Sequence, residues 1–267
     1  MVEFIDKPEL PNILELRGVN QSYDGGESFI IKDLDFLVED KPDQGQFVVI
    51  MGMSGSGKST ILRYLAGLQE PTSGEVLVMD KPVDDQQRIS MVFQRYSSLP
   101  WLKVIDNVGL ALKYQGVSKA ERDERAMELI KEVGLEGHEY KYAQYPSLSG
   151  GQLQRVEIAR SLIANPRILL MDEPFGALDV RTRLQMQDLL SKLWRKFQST
   201  IIFVTHDIAE AVYLADDIYI LKSSPSKIVR HIEVDLPLER SKETKRLPHY
   251  TELVHQVEDT MMEVSHL

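Results

Sequence analysis

Cysteine is absent from the chain, which excludes disulfides, thiolate zinc sites and iron–sulfur clusters and permits a reducing compartment. Long hydrophobic runs are missing too. Stretches such as ILLM and IIFV stop after a few residues, well short of the about 20 needed to cross a bilayer, so any membrane role is expected to come through a partner. Nor is there a basic run: 31 lysines and arginines face 41 acids for a net charge of −10, which argues against a nucleic-acid groove. The opening MVEFIDKPELPNILEL carries acids and two prolines where a secretory signal needs a basic stub and an apolar core, and no export signal is read there.

At 267 residues the chain can bury a substantial core and suits one large domain, or a domain with a smaller one inserted. From 13 to 50 the strand-like segments NILELRGV, SFIIKDLDFLVE and GQFVVIMG are broken by the turn compositions DGG and DKPDQG, which predicts a β-rich opening. Four later runs, RISMVF, RILLMDEP, TIIFVTHD and DIYIL, have buried-strand length and alternate with helical periodicity. They predict an α/β fold with a mostly parallel sheet and helices on both faces. Between VFQ and ILLMDE helical signals such as KAERDERAMELIKEVGL dominate, so residues 95–163 are read as an inserted helical subdomain. After Ser224 a tail carries an amphipathic stripe at Leu253, Val257 and Met261, the spacing of a helix packed on its own body.

GMSGSGKST, from Gly52 to Thr60, fits the phosphate-loop pattern and lies between a predicted strand and a predicted helix. Gly52, Gly55 and Gly57 let the backbone curl into a nest of N–H donors. Lys58 can reach the β- and γ-phosphates and the Ser59 hydroxyl can ligate Mg²⁺. Ser54, Ser56 and Thr60 complete the phosphate-binding set. In ILLMDE an apolar run delivers Asp172 to the carboxyl end of a buried strand, where open α/β sheets place ligands and where it can hold Mg²⁺. Glu173, next in line, is placed to orient the attacking water and take its proton. Read alone, the two acids would suit a solvated turn equally well. A second glycine loop, SLSGGQ, also runs into a predicted helix and should favour an anion, although one nucleotide needs a single cradle.

Together these motifs resemble the ATP-binding cassette ATPases, the nucleotide-binding subunits of ABC transporters, over about residues 13–224; LSGGQLQRVEIARSLIANPRILLMDEPFGALD carries most of the likeness. The resemblance implies a P-loop NTPase core with an N-terminal antiparallel β subdomain and the inserted helical subdomain, with 225–267 as a short tail. It implies ATP and Mg²⁺ as cofactors and two cassettes paired head to tail, so that Ser149, Gly150, Gly151 and Gln152 act in trans on the partner's nucleotide. Gln94 matches the glutamine that touches Mg²⁺ and the water. His206 matches the histidine that hydrogen-bonds the γ-phosphate. Asp179 matches the aspartate that crosses the dimer interface, with helix capping as its competing role, and Tyr23 matches the aromatic that stacks on adenine, with Phe29 as a rival. Glu157 departs from the family, which usually has a small apolar residue there; a modest surface pairing with Arg160 is expected.

The segment QRYSSLPWLKVIDNV resembles importer cassettes of the nitrate, sulfonate, taurine and bicarbonate group. That implies an ATPase subunit at the cytoplasmic face of the inner membrane, beneath permease subunits, with an external solute-binding protein and no nucleic-acid partner. The alternatives are a lipoprotein or peptide exporter ATPase and a soluble non-transport ATPase. Trp101 is read either as a partner-docking side chain or as a local core residue.

Overall fold

The computed structural model describes residues 12–41, 44–83, 89–223 and 225–265. The opening eleven residues, on which the absence of an export signal was read, and residues 42 and 43 of the lengthened VEDKPDQGQ connection lie outside them. The chain divides into two compact units, Met1–Ile89 with Thr200–Leu267, and Ser90–Ser199.

The first unit begins with β1 (Asn12–Gln21), β2 (Ile31–Glu39), β3 (Phe47–Gly52), α1 (Lys58–Leu65), β4 (Ser73–Val78) and β5 (Lys81–Pro82). Strands β2, β1, β4 and β5 form an antiparallel sheet in that order. Leu14 and Leu16 of β1 pair with Val38 and Phe36 on one side and with Val78 and Val76 on the other, and their alternation puts both side chains in the core. Gly74 of β4 has a φ of +96°, and a Cβ there would lie 2.6 Å from Gly18 O and from the Val19 Cα. Only glycine can occupy that crossing. By contrast, β3 is buried at all six positions, which is why FVVIMG reads as an unbroken apolar run rather than an alternating one.

The second unit contains β6 (Ser90–Val92), α2 (Val104–Val108), α3 (Leu110–Tyr114), α4 (Lys119–Glu132), α5 (Gly150–Leu162), β7 (Ile168–Asp172) and α6 (Val180–Phe197). Between β6 and β7 every regular element is a helix. Helix α4 starts on Ser118, whose side chain accepts from the Glu121 amide, and buries Ala126, Leu129 and Ile130 from its charged sequence. Asn107, fully buried in α2, accepts from the Leu99 amide at 2.8 Å and donates to the Leu99 carbonyl at 3.0 Å. This closes the Leu99–Pro100–Trp101 turn through a side chain eight residues further along the same segment. Trp101 is consequently 68% exposed, whereas Trp194 of α6 is buried. The core reading of Trp101 is therefore overturned.

Back in the first unit come β8 (Thr200–Thr205), α7 (Ile208–Leu214), β9 (Asp217–Lys222), β10 (Lys227–Glu233), a 3-10 turn at Thr244–Arg246 and α8 (Pro248–Ser265). β3 lies parallel to both β8 and β9, with Val49 opposite Phe203 and Ile218, and β10 closes antiparallel on β9. The tail thus supplies a strand, β10, that its composition did not announce, because only Ile232 of its seven residues is buried. Leu253 and Val257 bury as the stripe predicts, while Met261 is half-buried. Helix α8 packs against α7, β9 and β10.

Arg240 fastens this tail. Its buried guanidinium donates to the carbonyls of Tyr213 at 3.0 Å and Ala215 at 2.7 Å, and to that of Pro237. Tyr213 and Ala215 sit at the end of α7, where carbonyls have no partner within the helix. Asp216, 3.9 Å away, accepts in turn from the Phe47 amide at the start of β3. Arg240→Ala is expected to destabilise the protein by about 2–4 kcal/mol, because it strips buried acceptors of their donor; urea unfolding of parent and variant measures this.

Candidate functional site

Two clusters of polar groups form, each at the carboxyl ends of parallel strands within its own unit. In the first unit β3 ends at Gly52, and the chain turns through residues 53–57 into α1. Gly55 and Gly57 adopt φ of +79° and +88°, a region that L side chains resist. A Cβ on Gly57 would strike Ser226 Oγ, and one on Gly52 would strike Ser56 Oγ and the Leu221 carbonyl. The loop is therefore packed from behind and open in front. No side chain caps α1 and no acid stands in its first turn, so its first amides and dipole remain available to an anion.

Lys58 is buried, and its ammonium folds over the loop, donating to the carbonyls of Gly52 and Met53 at 2.9 Å each. Ser56 Oγ is buried with no hydrogen-bond partner among the described residues. Amide nest, buried ammonium and unpartnered hydroxyl form a donor set suited to a polyphosphate. His206 joins this cluster through strand register: Met51 is opposite Thr205, so Gly52 and His206 leave their strands at the same edge. Thr205 Oγ1 holds the turn after it by donating to Glu210 Oε2 at 2.5 Å and accepting from the Asp207 amide.

Tyr23 lies in a tight loop of the same unit. The Ser22 hydroxyl donates to Asp24 at 2.6 Å and accepts from the Gly26 amide, while Asp24 also accepts from Ser28. Hydrogen bonds from the Ser22 and Ser28 side chains hold the Asp24 carboxyl well below the usual carboxylate range. The Tyr23 ring is 66% exposed, and its hydroxyl accepts from Gln69 Nε2 at 3.0 Å. Phe29 is half-buried with the Lys32 ammonium over its ring.

In the second unit β6 and β7 run parallel with Val92 opposite Met171. That register carries Gln94 and Glu173 to one edge, where Gln94 Nε2 approaches Glu173 Oε2 at 3.5 Å. Asp172 is buried at the end of β7. Glu173 has a φ of +43°, an uncommon state for a side-chain-bearing residue that costs on the order of 1–3 kcal/mol and persists where the surroundings impose it.

The same unit holds the second glycine loop. Ser149 caps α5 by accepting from the Gln152 amide at 3.3 Å, while Gln152 Oε1 accepts from the Ser149 amide at 2.9 Å, a reciprocal capping box. Asp179 caps α6 by accepting from the Thr182 amide at 3.1 Å, and bonding to Thr182 lowers its carboxyl pKa. A Cβ on Gly151 would collide with the Thr182 methyl, so the heads of α5 and α6 touch at a glycine.

Glu157 does not form the surface pair its spacing with Arg160 suggested. It is fully buried in α5, and one carboxylate oxygen accepts from the Ser97 amide and from the Ser98 amide at 2.7 Å. Burial pushes its pKa up against the opposing influence of Arg160 and these amides. Arg160 itself donates to the Ser97 carbonyl at 2.8 Å and hydroxyl at 2.5 Å. The sequence carried a signal for this, a charged residue where a small apolar one is usual, but helical spacing alone pointed to the wrong partner.

A family model described as ABC transporter matches residues 38–176. The chain is 43% identical over 233 residues to the nitrate import ATP-binding protein NrtD of Synechocystis sp., covering 84% of this chain and 83% of that one. Against the aliphatic sulfonates import ATP-binding protein SsuB 3 of Pseudomonas savastanoi pv. phaseolicola it is 43% identical over 235 residues, covering 88% and 81%. Among solved structures, the dimeric post-hydrolysis state of the ATP-binding cassette MJ0796 bound to ADP and Pi aligns with a TM-score of 0.69 and 34% identity, over 83% of this chain and 98% of that one.

The contrast between Tyr23 and Phe29 is directly measurable. Tyr23→Ala should weaken ATP binding by roughly tenfold, the scale of one lost base-stacking contact, while Phe29→Ala stays within about twofold. Titration with a fluorescent ATP analogue compares them.

Proposed function

Because the chain belongs to the ABC transporter family of ATP-binding proteins, we propose that it is the ATP-hydrolysing subunit of an importer for a small anion of the nitrate, sulfonate, taurine or bicarbonate kind. As a member of that family it binds and hydrolyses ATP. The importer reading is supported by relatives named for import of nitrate and of aliphatic sulfonates at 43% identity. On this reading 13–224 is the ATPase domain, 95–163 its inserted helical subdomain and 225–267 the tail.

The roles follow from each group's chemistry. The 52–60 loop, with Ser54, Ser56 and Thr60, binds the phosphates through backbone amides and hydroxyls, and Lys58 exchanges its carbonyl acceptors for phosphate oxygens. Ser59, Gln94 and Asp172 would hold Mg²⁺, which when bound neutralises phosphate charge. Glu173 accepts a proton from the water that attacks the γ-phosphorus; the terminal P–O bond breaks and ADP carries off the electron pair. The carrying observation is the approach of Gln94 Nε2 to Glu173 Oε2, since it joins a candidate base to the residue that heads the segment leading to Trp101. His206 hydrogen-bonds the γ-phosphate, and Tyr23 stacks on adenine.

Ser149, Gly150, Gly151 and Gln152 act on the nucleotide of a second cassette, and Asp179 lies at that interface. No helix among the described residues is long and apolar enough to cross a membrane. The attachment we propose is therefore to permease subunits, at the cytoplasmic face of the inner membrane, with an external binding protein delivering solute. Trp101 and the segment 95–108 form the docking surface, since a large exposed aromatic on a rigid turn is a strong anchor for a partner pocket.

Glu173→Gln should bind ATP within severalfold of the parent and lose turnover by about a hundredfold or more. It should also elute as a dimer in ATP and Mg²⁺. Near-normal hydrolysis with only monomer on sizing columns would overturn the role.

Trp101→Ala separates docking from folding. Its unfolding free energy should stay within about 0.5 kcal/mol of the parent, as for an exposed side chain, while its retention on native membranes falls severalfold. Unchanged retention with a lowered melting temperature would reject the docking surface.

A further inference from the structure

Glu157 stands at a position where a carboxylate is costly: it is fully buried, and its second oxygen has no hydrogen-bond partner among the described residues. What it provides is a single acceptor for two consecutive amides, those of Ser97 and Ser98, in a segment where no helix or strand ladder bonds them. Two further ties join the same segment to the same helix. Arg160 grips the Ser97 carbonyl and hydroxyl, and Tyr96 lies so close to Gly150 that a Cβ there would collide with its hydroxyl. Positions 150, 157 and 160 share one face of α5. The segment Tyr96–Ser98 thus runs along α5 from its glycine head through two turns, directly between Gln94 and the Leu99–Pro100–Trp101 turn.

We propose that Glu157 is a positioning residue that fastens the segment after Gln94 to helix α5, so that the Ser149–Gln152 loop at the head of the helix moves as one piece with the turn that carries Trp101. The inference rests on the ATPase reading above and assigns Glu157 no contact with nucleotide. A small apolar residue at 157 would remove the acceptor that ties both amides to the helix and leave the loop free to shift against it. The carboxylate therefore trades stability for a fixed register.

The test uses the full chain in a Glu173→Gln background, reading the ATP concentration at which half the protein is dimeric and, separately, the affinity of the monomer for a fluorescent ATP analogue. Glu157→Ala should raise the dimerisation midpoint at least tenfold, leave the monomer's affinity within twofold, and speed hydrogen exchange at the Ser97 and Ser98 amides at least tenfold. Glu157→Gln, which keeps an acceptor oxygen, should restore the midpoint to within threefold. Ser98→Pro removes one donor without touching α5 and should shift the midpoint in the same direction, which keeps the test open if Glu157→Ala does not fold. A midpoint that stays put while the amides exchange faster, one that moves only in step with monomer affinity, or a folded Glu157→Gln that restores nothing would each overturn the positioning role. If the Glu173→Gln parent itself never dimerises with ATP, the ATPase reading fails and carries this inference with it.

Discussion

Parallel pairing of β3 with β8 and β9 is the constraint on which the first unit depends. Every residue of β3 and of β8 is buried, and between their first and last residues both strands are wholly apolar. The chemistry has to begin where the ladder stops. Register then determines which groups meet: Met51 opposite Thr205 sends Gly52 and His206 out together. The second unit repeats the logic with β6 and β7, where Val92 opposite Met171 brings Gln94 to Glu173. In both cases the distance between functional residues along the chain is irrelevant to their meeting.

Helix starts divide the remaining labour. α1 begins without a side-chain cap, leaving its amides to a ligand, whereas α5 and α6 are capped by Ser149 with Gln152 and by Asp179. Those capping residues are the ones the family resemblance assigns to the paired cassette. A cap bond satisfies one amide and still leaves the glycines Gly150 and Gly151 without side chains at the surface of the turn. Both glycines also lie against close neighbours, Tyr96 and Thr182, so their smallness serves packing within the unit.

Much of this was legible in the residues. The phosphate loop could be placed because FVVIMG, GMSGSGKST and the following helix are each local patterns, and the tail helix was readable from Leu253 and Val257. What escaped has a common cause. β10 is an edge strand with one buried residue, so neither alternation nor an apolar run marks it, and Arg240 looks like any surface arginine until α7 ends beside it. Glu157 was misjudged because the helical spacing rule knows only its own helix, while its partners lie sixty residues back along the chain.

By itself the sequence determined the α/β class, the strand–loop–helix cradle, the candidate acids and amides, and the family, since each depends on residue type and short spacing alone. Tertiary structure decided that Trp101 projects outward on a turn closed by Asn107, that Tyr23 is the open ring and Phe29 the half-buried one, and that Glu157 is buried on two amides. Exposure and partner choice are properties of what surrounds a side chain. They come into being only when elements far apart in sequence close on one another and exclude water from the groups between them.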